Sequence, residues 1–445
     1  MSASILQTVR WPASLLAAAV LAACGDTAQL PIERGMGPDP QLPKPVKRMI
    51  PTVKVAPVKP WAGAAKPVAA DDLQVNAFAR DLDHPRWIYV LPNGDVLVAE
   101  TAAPPKPADE GGGGLRDKVM GTMMKKAGSA VPSANRITLL RDADGDGVAE
   151  VRTQFLSGLY SPFGMALVGD RFYVANADAL VSFPYQPGDT HITAQPSFVA
   201  NLPGGINHHW TKSLLARPDG KRLYVGVGSN SNVGENGLDA ELNRAAILEI
   251  DPANGGTRVY ASGLRNPVGL AWAPGSDALW TVVNERDEIG SDLVPDYLTS
   301  VKEGAFYGWP YSYYGQHVDE RVKPQDPAQV ARAIKPDYAL GAHTASLGLA
   351  FYDGPLLPAR FHGGAFIGQH GSWNRDPPSG YKVIYVPFVN GRPEGRPITV
   401  LDGFLDAEGN AQGRPVGVAP DRSGALLVAD DVGNVIWRVT PKAPR

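Results

Sequence analysis

The stretch HPRWIYVLPNGDVLVAE, residues 84–100, decides the fold of this chain. A Pro lead-in opens an apolar strand, the turn Pro92-Asn93-Gly94-Asp95 reverses the chain, and a second apolar strand follows over Val96–Ala99. Pro, Asn, Gly and Asp between two such runs are typical of a hairpin. Residues 84–100 therefore predict two antiparallel strands joined by a tight turn.

The same pattern recurs, and six copies fill residues 71–445. The later copies begin near Ser161-Pro162, His209-Trp210, Asn266-Pro267, Ser346-Leu347 and Arg414-Pro415. Their second strands are predicted at Arg171–Ala175, Leu223–Val227, Leu279–Val283, Ala365–Gly368 and Ala425–Ala429. One such sheet cannot bury both of its faces, whereas several stacked around an axis can. The repeats therefore predict an all-β fold, a six-bladed β-propeller.

The composition agrees with this fold and excludes one class of partner. The chain has 445 residues, 44% of them hydrophobic, with 49 Gly and 41 Pro. An apolar chain so rich in turn formers favours many short strands. The net charge is −3 and no basic stripe is visible, so nucleic acid is not an expected partner. Residues 101–134 form an insertion in the first copy, with a helical pattern at 115–128.

The N-terminus has the features of an export signal. Arg10 precedes an apolar run at 11–23 that is too short to span a bilayer as a helix. The run ends in LAACG, residues 21–25, which resembles the bacterial lipobox and contains the one cysteine of the chain, Cys24. We expect residues 1–23 to be a lipoprotein signal peptide and Cys24 to be lipidated. An ordinary signal peptide with a coincidental Cys is the alternative.

Residues 24–70 are rich in Pro, Lys and Ala and show little periodic apolar pattern. Such composition favours an extended conformation, so we expect a linker that holds the body away from the membrane. Asp26 resembles the signal that retains lipoproteins at the inner membrane. The expected location is the periplasmic side of the bacterial cell envelope, with the protein held by its lipid anchor.

Two short motifs contain residues that could bind ligands. GGINHHW, residues 204–210, places His208 and His209 at the start of a propeller strand, where ligand sites tend to form; ordinary hydrogen bonding is the alternative. In DADGDGVAE, residues 142–150, Asp142, Asp144 and Asp146 match the start of an EF-hand loop. The Glu expected at position twelve is absent, so a structural calcium site and a solvated acidic turn remain alternatives.

An ordered set of phrases reveals a family resemblance. The set consists of His209 ahead of a Pro-Asp-Gly hairpin, GLRNPVG (263–269), NERDEIGSD (284–292), YGWP (307–310), GSWNR (371–375) and GRPVG (413–417). In this order they resemble the soluble quinoprotein glucose dehydrogenase superfamily, and within it the sorbosone dehydrogenase branch. The resemblance spans about residues 84–440. It implies oxidation of a sugar, or a related alcohol or aldehyde, with pyrroloquinoline quinone (PQQ) and Ca²⁺ over the central channel.

The resemblance also implies roles for individual residues. His209 would be the general base, with an ordinary pKa near working pH. Backbone carbonyls of Glu285, Arg286 and Asp287 would bind the Ca²⁺ next to PQQ. The other implied contacts are Arg414, Asn230, Asn232, His208 and His370 for the cofactor, and Tyr160 and Trp373 for the substrate; for the last two, packing is the alternative. Electrons would pass to a periplasmic cytochrome or quinone.

The sequence departs from the glucose enzyme at the cofactor site, and other functions remain open. His208 stands where that enzyme has Asp, Ser and Asn replace its Arg and Gln, and His370 or Gly371 lies near its cofactor-binding Lys. A calcium-dependent lactone hydrolase would instead centre its metal on Glu100, Asn284 and Asp430. A non-enzymatic propeller that scaffolds an envelope complex is the third alternative, because propellers have many functions.

Overall fold

The computed structural model describes residues 25–48, 51–106, 121–122, 125–128 and 130–443. The predicted signal peptide, Cys24 and most of the predicted helix at 115–128 lie outside the described residues. Within them, no helix is long and apolar enough to cross a membrane.

The described residues form six antiparallel sheets, and each sheet is one blade of a propeller. Blade 1 consists of Pro85–Val90, Val96–Glu100, Arg136–Arg141 and Val151–Leu156. Blade 2 consists of Gly164–Val168, Arg171–Ala175, Ala179–Pro184 and Ser197–Asn201. Blade 3 consists of Lys212–Ala216, Leu223–Val227, Ala246–Ile250 and Thr257–Ser262.

Blades 4 and 5 each gain a fifth, short strand from the N-terminal segment. Blade 4 consists of Pro267–Trp272, Leu279–Val283, Pro295–Val301, Tyr338–Ala342 and Met36–Gly37. Blade 5 consists of Ser346–Phe351, Ala365–Gln369, Lys382–Val386, Ile398–Asp402 and Val68–Ala69. Blade 6 consists of Pro415–Pro420, Leu426–Asp430, Val435–Pro441 and, as its outer strand, Leu73–Ala79. The ring is therefore closed by pairing the first long strand with the last.

Contacts between the inner strands confirm the predicted six-bladed ring. The inner strand of each blade contacts those of both neighbours, and that of blade 6 contacts that of blade 1. An apolar cluster takes one residue from the start of each blade: Trp87, Phe163, Trp210, Val268, Leu347 and Val416. These six side chains pack together because the inner strands converge on the axis. The second strands are almost wholly buried, which explains their continuous apolar runs.

Smaller elements lie in the loops between strands. The α-helix Pro327–Arg332 has Asp326 as its N-cap, and the Asp326 carboxylate accepts from the backbone N–H groups of Ala328 and Gln329. Two hairpins pair Ser312–Tyr313 with His317–Val318 and Phe388–Val389 with Arg392–Pro393. Short 3₁₀ turns cover Ile32–Gly35, Leu238–Glu241 and Ala359–Phe361.

The expectation of a free linker at 24–70 is wrong for the residues that the structure describes. Besides its two short strands, this segment bonds to the body at several backbone positions: Ala28 N–H donates to Asp376 O (2.8 Å), Lys54 N–H to Trp373 O (2.8 Å) and Lys59 N–H to Ala411 O (2.9 Å). Ala56 is buried. An extended, Pro-rich chain can pair with unpaired strand edges, and here it binds the edges of blades 4 and 5.

Candidate functional site

Most of the predicted site residues lie at one end of the ring, which we call the mouth. In an antiparallel blade, the start of the inner strand and the end of the second strand meet at the same end. His209 and Arg414 precede inner strands, whereas Asn230, Glu285 and His370 follow second strands. The Asp142–Asp146 loop follows the third strand of blade 1 and therefore lies at the opposite end.

His209 is held in one tautomer. Its Nδ1 lies 2.8 Å from the carbonyl oxygen of Ser229 and 3.1 Å from the Ser229 Oγ. A carbonyl oxygen only accepts, so Nδ1 carries the hydrogen and the neutral ring has its lone pair on Nε2. Among the described residues, Nε2 has no hydrogen-bond partner. Burial, with Arg265 and His208 adding to its effect, holds the pKa of His209 well below its ordinary value, so the ring can accept a proton at neutral pH.

A close backbone approach makes room for His209. A Cβ atom on Gly228 would lie 2.4 Å from the His209 Cβ and 2.3 Å from the Asn266 Oδ1. Real Cβ atoms do not approach so closely, so the second strand of blade 3 needs Gly at its end. His208 is exposed beside it, with its ring centroid 4.7 Å from that of His209.

The two predicted cofactor asparagines have different surroundings. Asn230 accepts the His208 backbone N–H at its Oδ1 (3.2 Å), and its side-chain NH₂ has no partner among the described residues. Asn232 is fully engaged: its Oδ1 accepts from Asp287 N (2.9 Å) and Arg265 Nη2 (3.1 Å), and its Nδ2 donates to Asp287 O (3.1 Å). Asn232 therefore clamps the 285–287 loop.

The 285–287 loop does not fit the predicted calcium site as it stands. The Glu285 carbonyl accepts from Arg265 Nη1 at 2.6 Å, and the Asp287 carbonyl accepts from Asn232. The Arg286 side chain turns away to Asp319, with Nε 2.7 Å from Oδ2. Burial raises the pKa of the Glu285 carboxyl to about 7. Two of the three expected ligands thus already accept hydrogen bonds, one of them from a guanidinium that would repel a cation.

Arg265 and His343 hold the carboxylate of Asp287 between them. The Asp287 Oδ2 lies 3.1 Å from Arg265 Nη2, and its Oδ1 lies 3.1 Å from His343 Nδ1. The other His343 nitrogen, Nε2, lies 2.9 Å from the carbonyl oxygen of Gly290. Burial opposes charge on Asp287, but the hydrogen bond from His343 and the charge of Arg265 outweigh it and lower its pKa. Neither Arg265 nor His343 was singled out as a site residue from sequence.

A second cluster surrounds Asp431, a fully buried residue that sequence reasoning missed. Its Oδ2 lies 2.9 Å from both Arg86 Nη1 and His370 Nε2, and 3.5 Å from His84 Nε2. Burial opposes charge on Asp431, but His370, His84 and Arg86 outweigh it and hold its pKa well below the ordinary value. Burial lowers the pKa of His84 to about 4. His370, predicted as a cofactor contact, is thus bound to a carboxylate of the protein.

Arg414 is oriented from three sides. Its backbone N–H donates to Asp430 Oδ1 (2.7 Å), its Nη2 lies 3.4 Å from Ala56 O, and its guanidinium carbon lies 5.0 Å from the Tyr381 ring centroid. Four arginines, Arg86, Arg265, Arg375 and Arg414, share one further property. Each has a buried Nε without a hydrogen-bond partner among the described residues.

Three of these arginines provide a test of the fit to PQQ, a planar quinone with three carboxylates. Buried donors without partners are costly, and a guanidinium suits carboxylates because it binds them through two parallel hydrogen bonds. Arg86, Arg265 and Arg414 come from blades 1, 4 and 6 and all lie at the mouth. The chemistry of the mouth therefore fits a polycarboxylate ligand.

The two predicted substrate residues are also near the mouth, but no contact distinguishes their roles. Tyr160 is exposed, and its backbone N–H donates to the Asn176 Oδ1 (3.3 Å). Trp373 is half-buried, and its carbonyl accepts from Lys54 of the N-terminal segment.

The residues of the lactone hydrolase alternative do not converge on a metal site. Glu100 is fully buried and binds Arg136 through Nε (3.0 Å) and Nη2 (2.7 Å). Asp430 accepts two backbone N–H groups at Oδ1 and the indole N–H groups of Trp61 (2.7 Å) and Trp437 (3.0 Å) at Oδ2. Asn284 Oδ1 accepts from Arg265. Their oxygens serve the protein's own structure.

The acidic loop brings its carboxylates together at the far end. One carboxylate oxygen from each of Asp142, Asp144, Asp146 and Glu150 lies within 4.8 Å of the other three. Glu150 occupies position nine of the motif and provides the fourth carboxylate that position twelve lacks. The EF-hand spacing does not predict Glu150 as a ligand, because it expects the last carboxylate at position twelve. In this strand-linking loop the chain comes back to the first carboxylates after fewer residues than in a loop between two helices.

Comparison of the sequence with known proteins shows the family of the chain. A family model described as TrAA12-like matches residues 133–299 and 314–442. An uncharacterized protein of Borreliella burgdorferi is 32% identical over 220 residues, 49% of this chain and 57% of the relative. The PQQ-dependent pyranose dehydrogenase of Coprinopsis cinerea is 26% identical over 263 residues, 49% of this chain and 35% of the relative. An aldose sugar dehydrogenase of Escherichia coli is 29% identical over 186 residues, 41% and 44% of the two chains.

Solved structures share the fold. The calcium structure of the Trichoderma reesei enzyme of Carbohydrate-Active Enzymes Family AA12 has a TM-score of 0.68 and 18% identity, over 88% of this chain and 99% of that one. The holo form of the Coprinopsis cinerea pyranose dehydrogenase PQQ domain has a TM-score of 0.66 and 20% identity, over 87% of this chain and 100% of that one. The chain spans from about a third to just over half of the length of the three relatives compared by sequence. Because the family model matches well over half of its residues, the chain belongs to the TrAA12-like family.

Proposed function

We propose that the protein oxidises a sugar, or a related alcohol or aldehyde, with PQQ bound at the mouth and His209 as general base. The observation that carries this proposal is His209 itself, whose Nε2 has no partner in the described chain while Nδ1–H is fixed on Ser229. It lies at the same end as three arginines with unpartnered Nε atoms. Two relatives, the PQQ-dependent pyranose dehydrogenase and the aldose sugar dehydrogenase, support the reaction class.

The protein's own residues would divide the work as follows. PQQ, when bound, supplies a quinone that accepts two electrons as a hydride. Arg86, Arg265 and Arg414 would bind and orient its carboxylates. His209 Nε2 would take the proton of the substrate hydroxyl, and the Ser229 carbonyl would keep the resulting imidazolium in place through Nδ1–H. The depressed pKa of His209 ensures that the base is unprotonated before substrate binds.

The substrate within this class is a finer proposal. The sequence phrases resemble the sorbosone dehydrogenase branch, so we propose a sorbosone-like or aldose-like substrate. His208 differs from the residue of the glucose enzyme and Trp373 lies near the mouth, so both would influence which sugar is accepted. The electron acceptor would be a separate periplasmic cytochrome or quinone.

Calcium is proposed at the acidic loop and not in the 285–287 loop. The four carboxylates at Asp142, Asp144, Asp146 and Glu150 offer hard oxygen ligands of the kind that Ca²⁺ prefers. The Trichoderma reesei relative was solved as a calcium structure, which supports the ion but not its position here. No catalytic step is assigned to it.

A titration tests the proposed function directly. Purified protein should change the PQQ absorbance spectrum on binding and then reduce a redox dye with aldoses. His209→Gln should lower kcat at least about a hundredfold, because general base catalysis contributes that much. Its PQQ affinity should stay within about threefold of the wild type, because Gln keeps the approximate size of the side chain and the arginines are untouched. A protein that binds no PQQ and oxidises no sugar would point to the scaffold alternative.

A further inference from the structure

Two buried basic side chains meet on one amide beneath His209. Asn207 Oδ1 accepts from Lys212 Nζ (2.9 Å) and from Arg244 Nη2 (3.0 Å). Asn207 Nδ2 donates to the carbonyl oxygen of Ala177 in blade 2 (3.0 Å). Lys212 is fully buried and Arg244 is 6% exposed. Asn207 thus links the loop that precedes blade 3 to blade 2 and to two basic side chains. We call these three hydrogen bonds the Asn207 joint.

These basic groups have only neutral acceptors. Lys212 also donates to Trp210 O (3.0 Å), and Arg244 donates to Gly204 O, Pro203 O (3.1 Å) and Gly228 O (3.2 Å). Neither has a carboxylate within ion-pair distance in the part of the chain that the structure describes. Burial, with the charge of Arg244 adding to its effect, holds the pKa of Lys212 well below its ordinary value, so Arg244 carries the positive charge of the pair. A buried cation without a carboxylate partner is unfavourable for folding. Such unfavourable arrangements are found where function requires them.

The same contacts hold both chain segments that fix His209. Asn207 is two residues from His209 and has a left-handed backbone, with φ 51°. Arg244 joins this loop to Gly228, the residue next to Ser229, whose carbonyl accepts from both the His209 backbone N–H (3.3 Å) and Nδ1 (2.8 Å). Any loosening of the Asn207 joint would therefore let the imidazole leave Ser229.

We propose that Asn207 is a positioning residue, which uses Lys212 and Arg244 to hold His209 in the Nδ1–H tautomer and to keep a positive charge near its ring. This proposal rests on the proposed function for the role of His209 as base. It goes beyond that function because it assigns the control of the base to residues that do not touch the reacting atoms.

The groups around His209 make the sign of the charge effect clear. The charged and titratable groups that face it or its immediate neighbours are His208, Lys106, Arg244, Lys212, Asp178, Arg265, Asp287, Glu235 and Glu241. Arg265 is paired with Asp287, whereas Arg244 has no ion pair within the described residues. A carboxylate introduced at position 207 would therefore oppose the Arg244 charge and favour protonation of His209.

Two variants of the same residue separate position from charge. Asn207→Asp keeps an oxygen for Lys212 and Arg244 and tolerates positive φ, but it adds a negative charge and loses the hydrogen bond to the Ala177 carbonyl. Asn207→Ala removes the oxygen. The matched control is Asn135→Asp, because Asn135 also has positive φ (53°) and accepts a backbone N–H at its Oδ1 (from Ser161, 2.8 Å), but lies between blades 1 and 2.

The readout is ¹⁵N NMR of histidine-labelled protein without PQQ, with His209 assigned by its loss in His209→Gln. In the wild type we expect the Nδ1–H tautomer and a pKa well below the ordinary value. Asn207→Asp should raise the pKa by about one unit and keep the tautomer, moving the acid limb of kcat/KM to higher pH. Asn207→Ala should shift His209 toward the Nε2–H tautomer that free histidine prefers and lower kcat about tenfold to a hundredfold, with KM changed less.

Tautomer and pKa that stay unchanged in both variants, with only the thermal stability lowered, would overturn the proposal and leave Asn207 as a structural residue. An equal pKa rise in Asn135→Asp would overturn it too, because the effect would then not be specific to the joint. If the NMR changes occur but no PQQ-dependent oxidation is found, the proposed function fails while the positioning of His209 stands.

Discussion

His209 and His370 differ in what their partners leave available. His209 donates a hydrogen bond from Nδ1–H to the Ser229 carbonyl, and its Nε2 has no partner within the described chain. The Nε2 of His370, in contrast, is hydrogen-bonded to the Asp431 carboxylate. Sequence reasoning placed His209 at the start of a propeller strand, and the family resemblance implied that His370 contacts the cofactor. The sequence could not distinguish their roles, because these depend on the partners of the two rings, Ser229 and Asp431. Sequence spacing does not show which residues these partners are. Asp431 and Arg86 were missed for the same reason.

Arg86 provides a prediction at this level. Arg86→Met removes a guanidinium with an unpartnered Nε from the mouth, and a hydrogen bond to a charged group contributes about 1.5–3 kcal/mol. We therefore expect PQQ affinity to fall about tenfold to a hundredfold, measured by absorbance titration. The matched control is Arg438→Met, because Arg438 pairs with Asp421 (2.8 Å) in the turn at the opposite end. Equal losses in both variants would contradict a cofactor role for Arg86.

Strand ends show why two carboxylates were mistaken for possible metal ligands. Glu100 and Asp430 both pair, across their blades, with the Pro that opens the inner strand. Each accepts a backbone N–H from the residue one or two positions ahead of that Pro. The two side chains are therefore the same structural device in blades 1 and 6. From sequence, a carboxylate at a strand end has the same pattern whether it binds a metal or caps a backbone.

The strands themselves were predictable because both faces of each second strand are covered by neighbouring blades. The predicted strands Arg171–Ala175, Leu223–Val227 and Leu279–Val283 agree with the structure at both ends. Leu73–Ala79 was not recognised as a blade strand. Its partner is Val435–Pro441 at the other end of the chain, and a hairpin pattern detects only neighbours in sequence.

The acidic loop is tested as an element by its response to calcium. Millimolar Ca²⁺ should raise the Tm by about 2 °C or more, and EDTA should reverse the rise, because an ion that binds only the folded loop stabilises it. Glu150→Gln should abolish the response, because the variant lacks the negative charge of one of the four carboxylates. The loop itself should be preserved, because Gln can still accept the Ala143 N–H that Glu150 accepts now. Asp219→Asn, in another turn of the same end, is the control and should respond like the wild type. If Ca²⁺ does not change the Tm, the loop is a solvated acidic turn and not a calcium site.

For the whole molecule, the main error concerned residues 24–70. Their composition correctly indicated an extended chain without helix, but composition does not say whether such a chain is free. The open edges of blades 4 and 5 provide backbone partners at Met36–Gly37 and Val68–Ala69. Asp26, two residues after Cys24, already bonds to Ser291 of the body. A lipid on Cys24 would therefore hold the propeller close to the bilayer, not at the end of a long tether.

Cys24→Ser tests the anchor. We expect the wild type to label with palmitate and to fractionate with the inner membrane. The variant should lose the label and appear in the soluble periplasmic fraction, because several acyl chains are needed for stable anchoring. Its PQQ binding should be unchanged, since Cys24 is not among the residues proposed to bind PQQ. A wild-type protein found soluble and unlabelled would support the ordinary signal peptide instead.

The pairing of Leu73–Ala79 with Val435–Pro441 also sets an order of events during biogenesis. The outer strand of blade 6 is made early, and its partner is among the last residues to be synthesised. Arg86 at the start of blade 1 bonds to Asp431 at the end of the second strand of blade 6, and this contact forms only when the first and last blades meet. If the proposed function is correct, PQQ would bind only after the chain is complete, and a product truncated before the last blade would not bind it.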